Sequence, residues 1–261
     1  MEWDGIEIVK KLMKQKGIVL RERTPIETML YALFLYLGGL SLRGVKTRLI
    51  RINRSRTAIW KWIQKFSILL ESRIADDLPK TIIVDETTLQ VKDMNLWFWY
   101  ALDPNTRKIV YYKITWNRTS STCKRFFQDL EKQYGKQPEL VITDGGKWYN
   151  ILQRMKIPHM VVSGGIRSYV ERVIETVKDR TRLFDNYFPS QYVWVAGHVK
   201  RWMDLFLFYY NWIRSHMTFN DNSPILAEKG IIIPSEYERL LYVLSLIHIS
   251  EPTRLGMISY A

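Results

Sequence analysis

The chain has 261 residues, 47% of them hydrophobic, enough to bury one medium domain core and a smaller one. Thirty-nine Lys and Arg against 26 Asp and Glu give a formal charge of +13, which favours a polyanionic partner such as nucleic acid. The single Cys123 excludes an internal disulfide and a zinc ribbon, and no signal peptide or bilayer-length apolar run is visible, so a soluble cytoplasmic protein with no membrane partner is expected.

Residues 1–23 read as a charged preface with one short helix around Ile6 to Met13. Thr24 has the pattern of an N-cap, with Pro25 at the first helical position and Glu27 closing a capping box. The helix that follows turns Met29, Leu30, Leu33, Phe34 and Leu37 inward and stops at Gly38-Gly39. Two shorter helices follow between Ser41 and Phe66, one buried through Leu42, Val45 and Leu49 and the other through Ile59, Ile63 and Phe66, with a break at Asn53 to Ser55. No acidic residue lies between Glu27 and Glu71, whereas basic residues recur throughout. The pattern predicts a small all-α helix-turn-helix domain over residues 24–70, whose second helix presents Arg54, Arg56, Thr57, Lys61 and Gln64 to a DNA groove. Short helices with basic faces also occur in other contexts. Of Trp60 and Trp62, at least one is expected in this domain's core.

A second domain is expected over residues 78–190. Strands are predicted at Thr81–Val91, Leu96–Leu102 and Lys108–Thr115, the last two joined by a turn at Asp103 to Thr106. The aromatic run Trp97 to Tyr100 could stack on bases, but sheet packing is the better reading. A helix at Ser121–Tyr134, a strand at Leu140–Thr143, a helix at Trp148–Met155 and a short strand at His159–Val162 complete an α/β arrangement: a mixed five-stranded sheet with helices on both sides. His159 reads as a hydrogen-bonded residue and not as a ligand.

Two acids stand out on these strands. Asp85 follows the unbroken Ile82-Ile83-Val84, and a carboxylate in a strand buried on both faces costs several kcal/mol unless something positive, such as a divalent cation, compensates it. Asp144 ends a short apolar strand just before Gly145-Gly146, where ligands of open α/β sheets gather. Either acid alone also fits a strand-end cap. After a hinge at Gly164-Gly165, Tyr169 to Arg182 sorts onto a helix, with Val170, Val173, Ile174, Val177, Thr181 and Phe184 on one stripe. Glu171, Glu175, Lys178 and Arg182 flank the stripe, an arrangement that taken alone is a solvated charge ladder. Residues 191–243 read as a helical extension whose Val195, Val199, Trp202, Met203, Phe206 and Tyr210 cover a core.

Taken in order, VDET at Asp85, ITDGG at Asp144 and the Glu171 to Lys178 pair resemble the DDE transposases of prokaryotic insertion sequences, in particular the insertion-sequence-six-like group. WFWYALDPNTRKIVYYKI, KDRTRLFDNYFP and YYNWIRSHMTFNDNSPILAEKG extend the resemblance over about Pro25 to Gly230. It implies a ribonuclease H-like, retroviral-integrase-like fold for the second domain. It also implies a transposase in which Asp85, Asp144 and Glu171 hold two Mg²⁺ (or Mn²⁺) ions, cleave transposon ends and join their 3′-hydroxyls to target DNA. Lys178 and Arg182 would hold DNA phosphates, and a homodimer or higher multimer would pair two ends at the nucleoid. Glu171 follows Asp144 at a shorter interval than is usual in the wider family, which makes Glu175 a rival third acid; only Glu171 has a base seven positions on. A catalytically silent DNA-binding repressor and a hydrolytic nuclease of the same fold are the alternatives.

Residues 244–261 stand apart. LSLIHISEPTR from Leu244 and ISYA from Ile258 resemble the translation of a common sequencing adapter. Those residues are therefore expected to lack consistent packing with the aromatic helix, and the natural frame is expected to run to about Val243.

Overall fold

The β-branched run at Thr81–Val91 forms β1, and Lys92-Asp93 turn the chain back into β2 (Met94–Leu102). β3 (Ile109–Thr115) pairs antiparallel with β2 after a turn in which Asp103 accepts the Asn105 N–H and the Thr106 hydroxyl. β4 (Leu140–Thr143) then lies parallel to β1, and β5 (His159–Val161) parallel to β4, giving the order β3-β2-β1-β4-β5. This is the mixed five-stranded sheet that the sequence predicts. The computed structural model describes residues 5–19, 21–49, 52–70, 75–162, 167–182, 184 and 187–249. The chain divides into two compact units: the sheet unit Ser72–Lys200, and a helical unit made of Met1–Glu71 with Arg201–Ala261.

One face of the sheet carries α5 (Ser120–Tyr134), whose start is fixed by a capping box between Thr119 and Thr122 and whose end is fixed by Gly135 at φ 68°. Its Cys123, Phe126, Phe127 and Leu130 pack on Ile82, Val84, Trp99, Ala101, Val110 and Val141. The other face receives α7 (Arg167–Thr181), which buries Val170, Val173, Val177 and Thr181. Phe98, Trp99 and Tyr100 are fully buried, so that aromatic run packs within the sheet. The helix expected at Trp148–Met155 is instead a 3-10 turn at Lys147–Asn150 followed by the single turn α6 (Ile151–Arg154), with Trp148 and Tyr149 both bonded to Glu86. At the far end of the sheet, the Lys92 N–H donates to Phe184 O at 2.7 Å and its ammonium donates to Ser190 O, tying the β1–β2 turn to the segment after α7.

The helical unit begins with α1 (Gly5–Gln15), α2 (Ile26–Leu37), α3 (Leu42–Arg48) and α4 (Arg56–Leu70). Thr24 does not cap α2. Pro25 takes the cap position, Glu22 accepts the Ile26 N–H, and the Thr24 hydroxyl accepts instead from Arg54. α8 (Val195–Trp212), α9 (Pro224–Glu228) and α10 (Glu236–Ile249) follow the sheet. From Arg201 on, the expected separate extension clusters with the amino-terminal helices: α1 packs along α10, and the Trp202 indole donates to the Tyr36 hydroxyl at 3.0 Å. Among the described residues no helix is long and apolar enough to cross a membrane.

The chain after Val243 does not lack packing throughout. α10 continues to Ile249, Leu244 is fully buried and Ser245 nearly so, because Leu244 extends the stripe set by Leu240 and Val243. Residues 250–261, including Glu251, Arg254 and the ISYA stretch, lie outside the described residues, as do Gly164 and Gly165.

Arg239 on α10 is 2% exposed and gathers the loops of this unit, donating to the carbonyls of Ile213, Asp221, Ile233 and Pro234 and to the Ser215 hydroxyl. Arg239→Met keeps the volume but orphans those acceptors, so urea denaturation is expected to show a loss of about 3 kcal/mol. A loss under about 1 kcal/mol would show that the loops do not depend on it.

Candidate active site

β1 and β4 pair in register through Thr81↔Leu140, Ile82↔Val141 and Ile83↔Ile142. Continued past the end of the ladder, that register sets Asp85 beside Asp144, on strands about 4.8 Å apart. Asp144 is exposed and accepts the Gly146 N–H at 3.0 Å, which shapes the exit from β4. Both glycines are required there. Gly145 sits at φ 86° and a Cβ on it would lie 2.7 Å from the Val161 Cγ1, while one on Gly146 would meet the Trp148 ring at 2.3 Å.

Asp85 is half-buried on the face that α7 covers. Its cross-strand partner Tyr100 places a hydroxyl 3.5 Å from Asp85 Oδ2 and 3.4 Å from the carbonyl of Val170, one residue before Glu171. The Tyr100 hydroxyl thus lies between Asp85 and the turn of α7 that carries Glu171. Glu171, Glu175, Lys178 and Arg182 are all exposed. The β1–β4 register runs toward both Asp85 and Asp144, and Glu171 stands on α7, which packs on β1. Among the described residues no three His, Cys, Asp or Glu side chains are grouped to enclose a metal ion. The oxygen-only chemistry of the neighbouring Asp pair fits a hard cation such as Mg²⁺ or Mn²⁺.

Glu86 is the site residue that the sequence reading missed. Strand alternation sends it to the face opposite Asp85, where its side chain is 2% exposed. Arg118 Nη1 donates to Oε1 at 3.2 Å, and the Trp148 indole (3.3 Å) and the Tyr149 hydroxyl donate to Oε2. Burial pushes this carboxyl up to about 7; the Tyr149 hydrogen bond opposes that, Asp85 and Asp144 reinforce it, and Arg118 opposes it. Both carboxylates therefore act on Glu86, and Glu86 in turn holds the turn that follows Asp144. The only signal for it was a second acid in the same buried run.

The remaining candidates divide. Arg56, Thr57 and Lys61 are exposed on α4, whereas Gln64 is buried and faces the core, so it is not presented to a groove. Arg54 precedes α4 and is occupied by the Thr24 hydroxyl at 2.6 Å and by the Arg23 carbonyl, a tie between two loops. Trp60 is buried, as the reading of the tryptophan pair requires. His159 Nε2 shares a 2.7 Å hydrogen bond with the Thr143 hydroxyl, and burial lowers its pKa, in keeping with a structural residue.

Residues 80–163 match a family model described as a DDE domain, and this stretch is accordingly a DDE domain of the transposase kind. An uncharacterized protein of Methanocaldococcus jannaschii, MJ0017, is 29% identical over 212 residues, covering 80% of this chain and 97% of its own. The catalytic core domain of HTLV-2 integrase, in a structure with magnesium, aligns with 56% of this chain and 92% of its own at 15% identity and a TM-score of 0.41. The simian T-cell lymphotropic virus intasome aligns with 75% of this chain and 73% of its own at 13% identity and a TM-score of 0.45.

Glu86→Leu would leave the Arg118, Trp148 and Tyr149 donors facing an apolar group, and is expected to cost about 3 kcal/mol in chemical denaturation, with Glu86→Gln costing less. Equal stability of wild type and Glu86→Leu would show that the carboxylate does not hold this turn.

Proposed function

We propose that this chain, whose residues 80–163 carry a DDE domain, is a transposase that cleaves DNA at the ends of a mobile element and joins the freed 3′-hydroxyls to target DNA. The parallel register of β1 and β4, which runs toward Asp85 within β1 and Asp144 just past the carboxyl end of β4, supports this reading. Asp85, Asp144 and Glu171 are the ligands assigned to two Mg²⁺ or Mn²⁺ ions. When bound, such ions activate the attacking oxygen and neutralise charge on the leaving oxygen of an in-line phosphoryl transfer.

The protein's own contribution is placement. Tyr100 orients the Asp85 carboxylate, and Glu86 holds the turn that aims Asp144. Lys178 and Arg182, exposed at the carboxyl-terminal end of α7, bind backbone phosphates of the DNA. In the helical unit, the helix-turn-helix role falls to Arg56 and Lys61, with Arg54 supporting the loop before them. The partners in this reading are transposon-end DNA and target DNA, bound by a homodimer or higher multimer working at the nucleoid.

The test is a strand-transfer assay with Mg²⁺ and the DNA flanking this reading frame. Asp85→Asn and Asp144→Asn are expected to abolish cleavage and joining while end binding stays within about twofold, because these carboxylates serve the metal and not affinity. Glu171→Gln should match them and Glu175→Gln should remain active; the reverse order would make Glu175 the third acid. Cleavage without joining would instead assign a hydrolytic nuclease, and binding without either reaction a repressor.

A further inference from the structure

Arg118 lies in the loop between β3 and α5, and its surroundings are unusual for a loop arginine. Its guanidinium carbon is 4.1 Å from the ring centroid of Trp97 and 3.9 Å from that of Trp148. Nη1 donates to the buried Glu86, and among the described residues this is the guanidinium's hydrogen bond. The side chain remains 35% exposed. One acceptor uses one of five N–H groups, so most of the fork is available from the solvent side. Two indoles and a carboxylate have already removed the rotamer freedom that a surface arginine would lose on binding.

Its position supplies the second half of the argument. Trp148, on which the guanidinium stacks, packs against Gly146, where a Cβ would meet its ring at 2.3 Å, and the Gly146 N–H donates to Asp144 at 3.0 Å, so the fork stands beside the turn that carries Asp144. An exposed carboxylate there repels a polyanion. A fixed guanidinium next to that turn provides the opposite charge, in a geometry suited to two phosphate oxygens. We propose that Arg118, clamped by Trp97, Trp148 and Glu86, is a preformed binding site for a backbone phosphate of a DNA strand passing the Asp144 turn. This inference rests on the reading of the chain as a DNA-processing protein and names a contact which that reading does not require.

The experiment uses the full chain, a fluorescein-labelled DNA duplex and EDTA, with binding followed by anisotropy across a salt series. Wild type is expected to bind. Arg118→Ala should bind about tenfold more weakly, with the slope of log Kd against log salt smaller by about one, the loss of one phosphate contact. Arg118→Lys, which keeps the charge but neither fork nor stack, should fall within about threefold of Arg118→Ala. Should Arg118→Ala melt at a lower temperature than wild type, Trp97→Leu carries the test: it removes one ring while leaving Arg118 and Glu86, and should weaken binding without changing the slope. Wild-type affinity and slope in Arg118→Ala, or full rescue by Arg118→Lys, would overturn the proposal while the functional reading stands. No DNA binding by wild type would overturn both.

Discussion

Everything in the sheet unit answers to one constraint: among the described residues β1 alone is bonded on one side to an antiparallel neighbour and on the other to a parallel one, and it carries two acids where its apolar run ends. Carboxylates so placed need partners on whichever face they point to. Alternation gives them different ones. Asp85 turns to the α7 side, where the Tyr100 hydroxyl lies 3.5 Å from its carboxylate. Glu86 turns to the α5 side and is closed in by an arginine, an indole and a phenol. One acid stays half-buried beside a hydroxyl while the next is fully enclosed and holds the walls.

Much of this was legible in the chain because the signals were local. Thr81–Val91 and Leu140–Thr143 declare themselves through β-branched runs, and the stripe from Val170 to Thr181 through its helical period. The pairing of Asp85 with Asp144 follows from strand order once two parallel strands are neighbours. The residues that were misread have partners far away in sequence. Thr24 carries every local mark of a cap, yet its hydroxyl is taken by Arg54, thirty positions on. Gln64 looks like part of a basic recognition face but turns inward. Glu86 could not be separated from Asp85 without knowing that Arg118, Trp148 and Tyr149 converge on the opposite face. Local propensity says nothing about such meetings.

The division into units shows the same limit at a larger scale. Composition suggested an amino-terminal domain, a catalytic domain and an extension, one after another. The helices on either side of the sheet unit instead share one cluster, with α10 along α1 and Trp202 bonded to Tyr36. An apolar helix such as α8 needs a covering surface, and nothing in its own sequence says whether that surface comes before or after it in the chain.

The attachment of α7 carries a mechanical implication. Past the helix's carboxyl-terminal end the chain is fastened twice to the β1–β2 turn, by the Lys92 amide to Phe184 and by its ammonium to Ser190. Near the amino-terminal end the Tyr100 hydroxyl lies 3.4 Å from the Val170 carbonyl and 3.5 Å from Asp85. Glu171 thus sits one residue from the Tyr100 contact and Lys178 towards the Lys92 fastening, so the acid and the base of this helix are positioned by opposite ends of the β1–β2 hairpin.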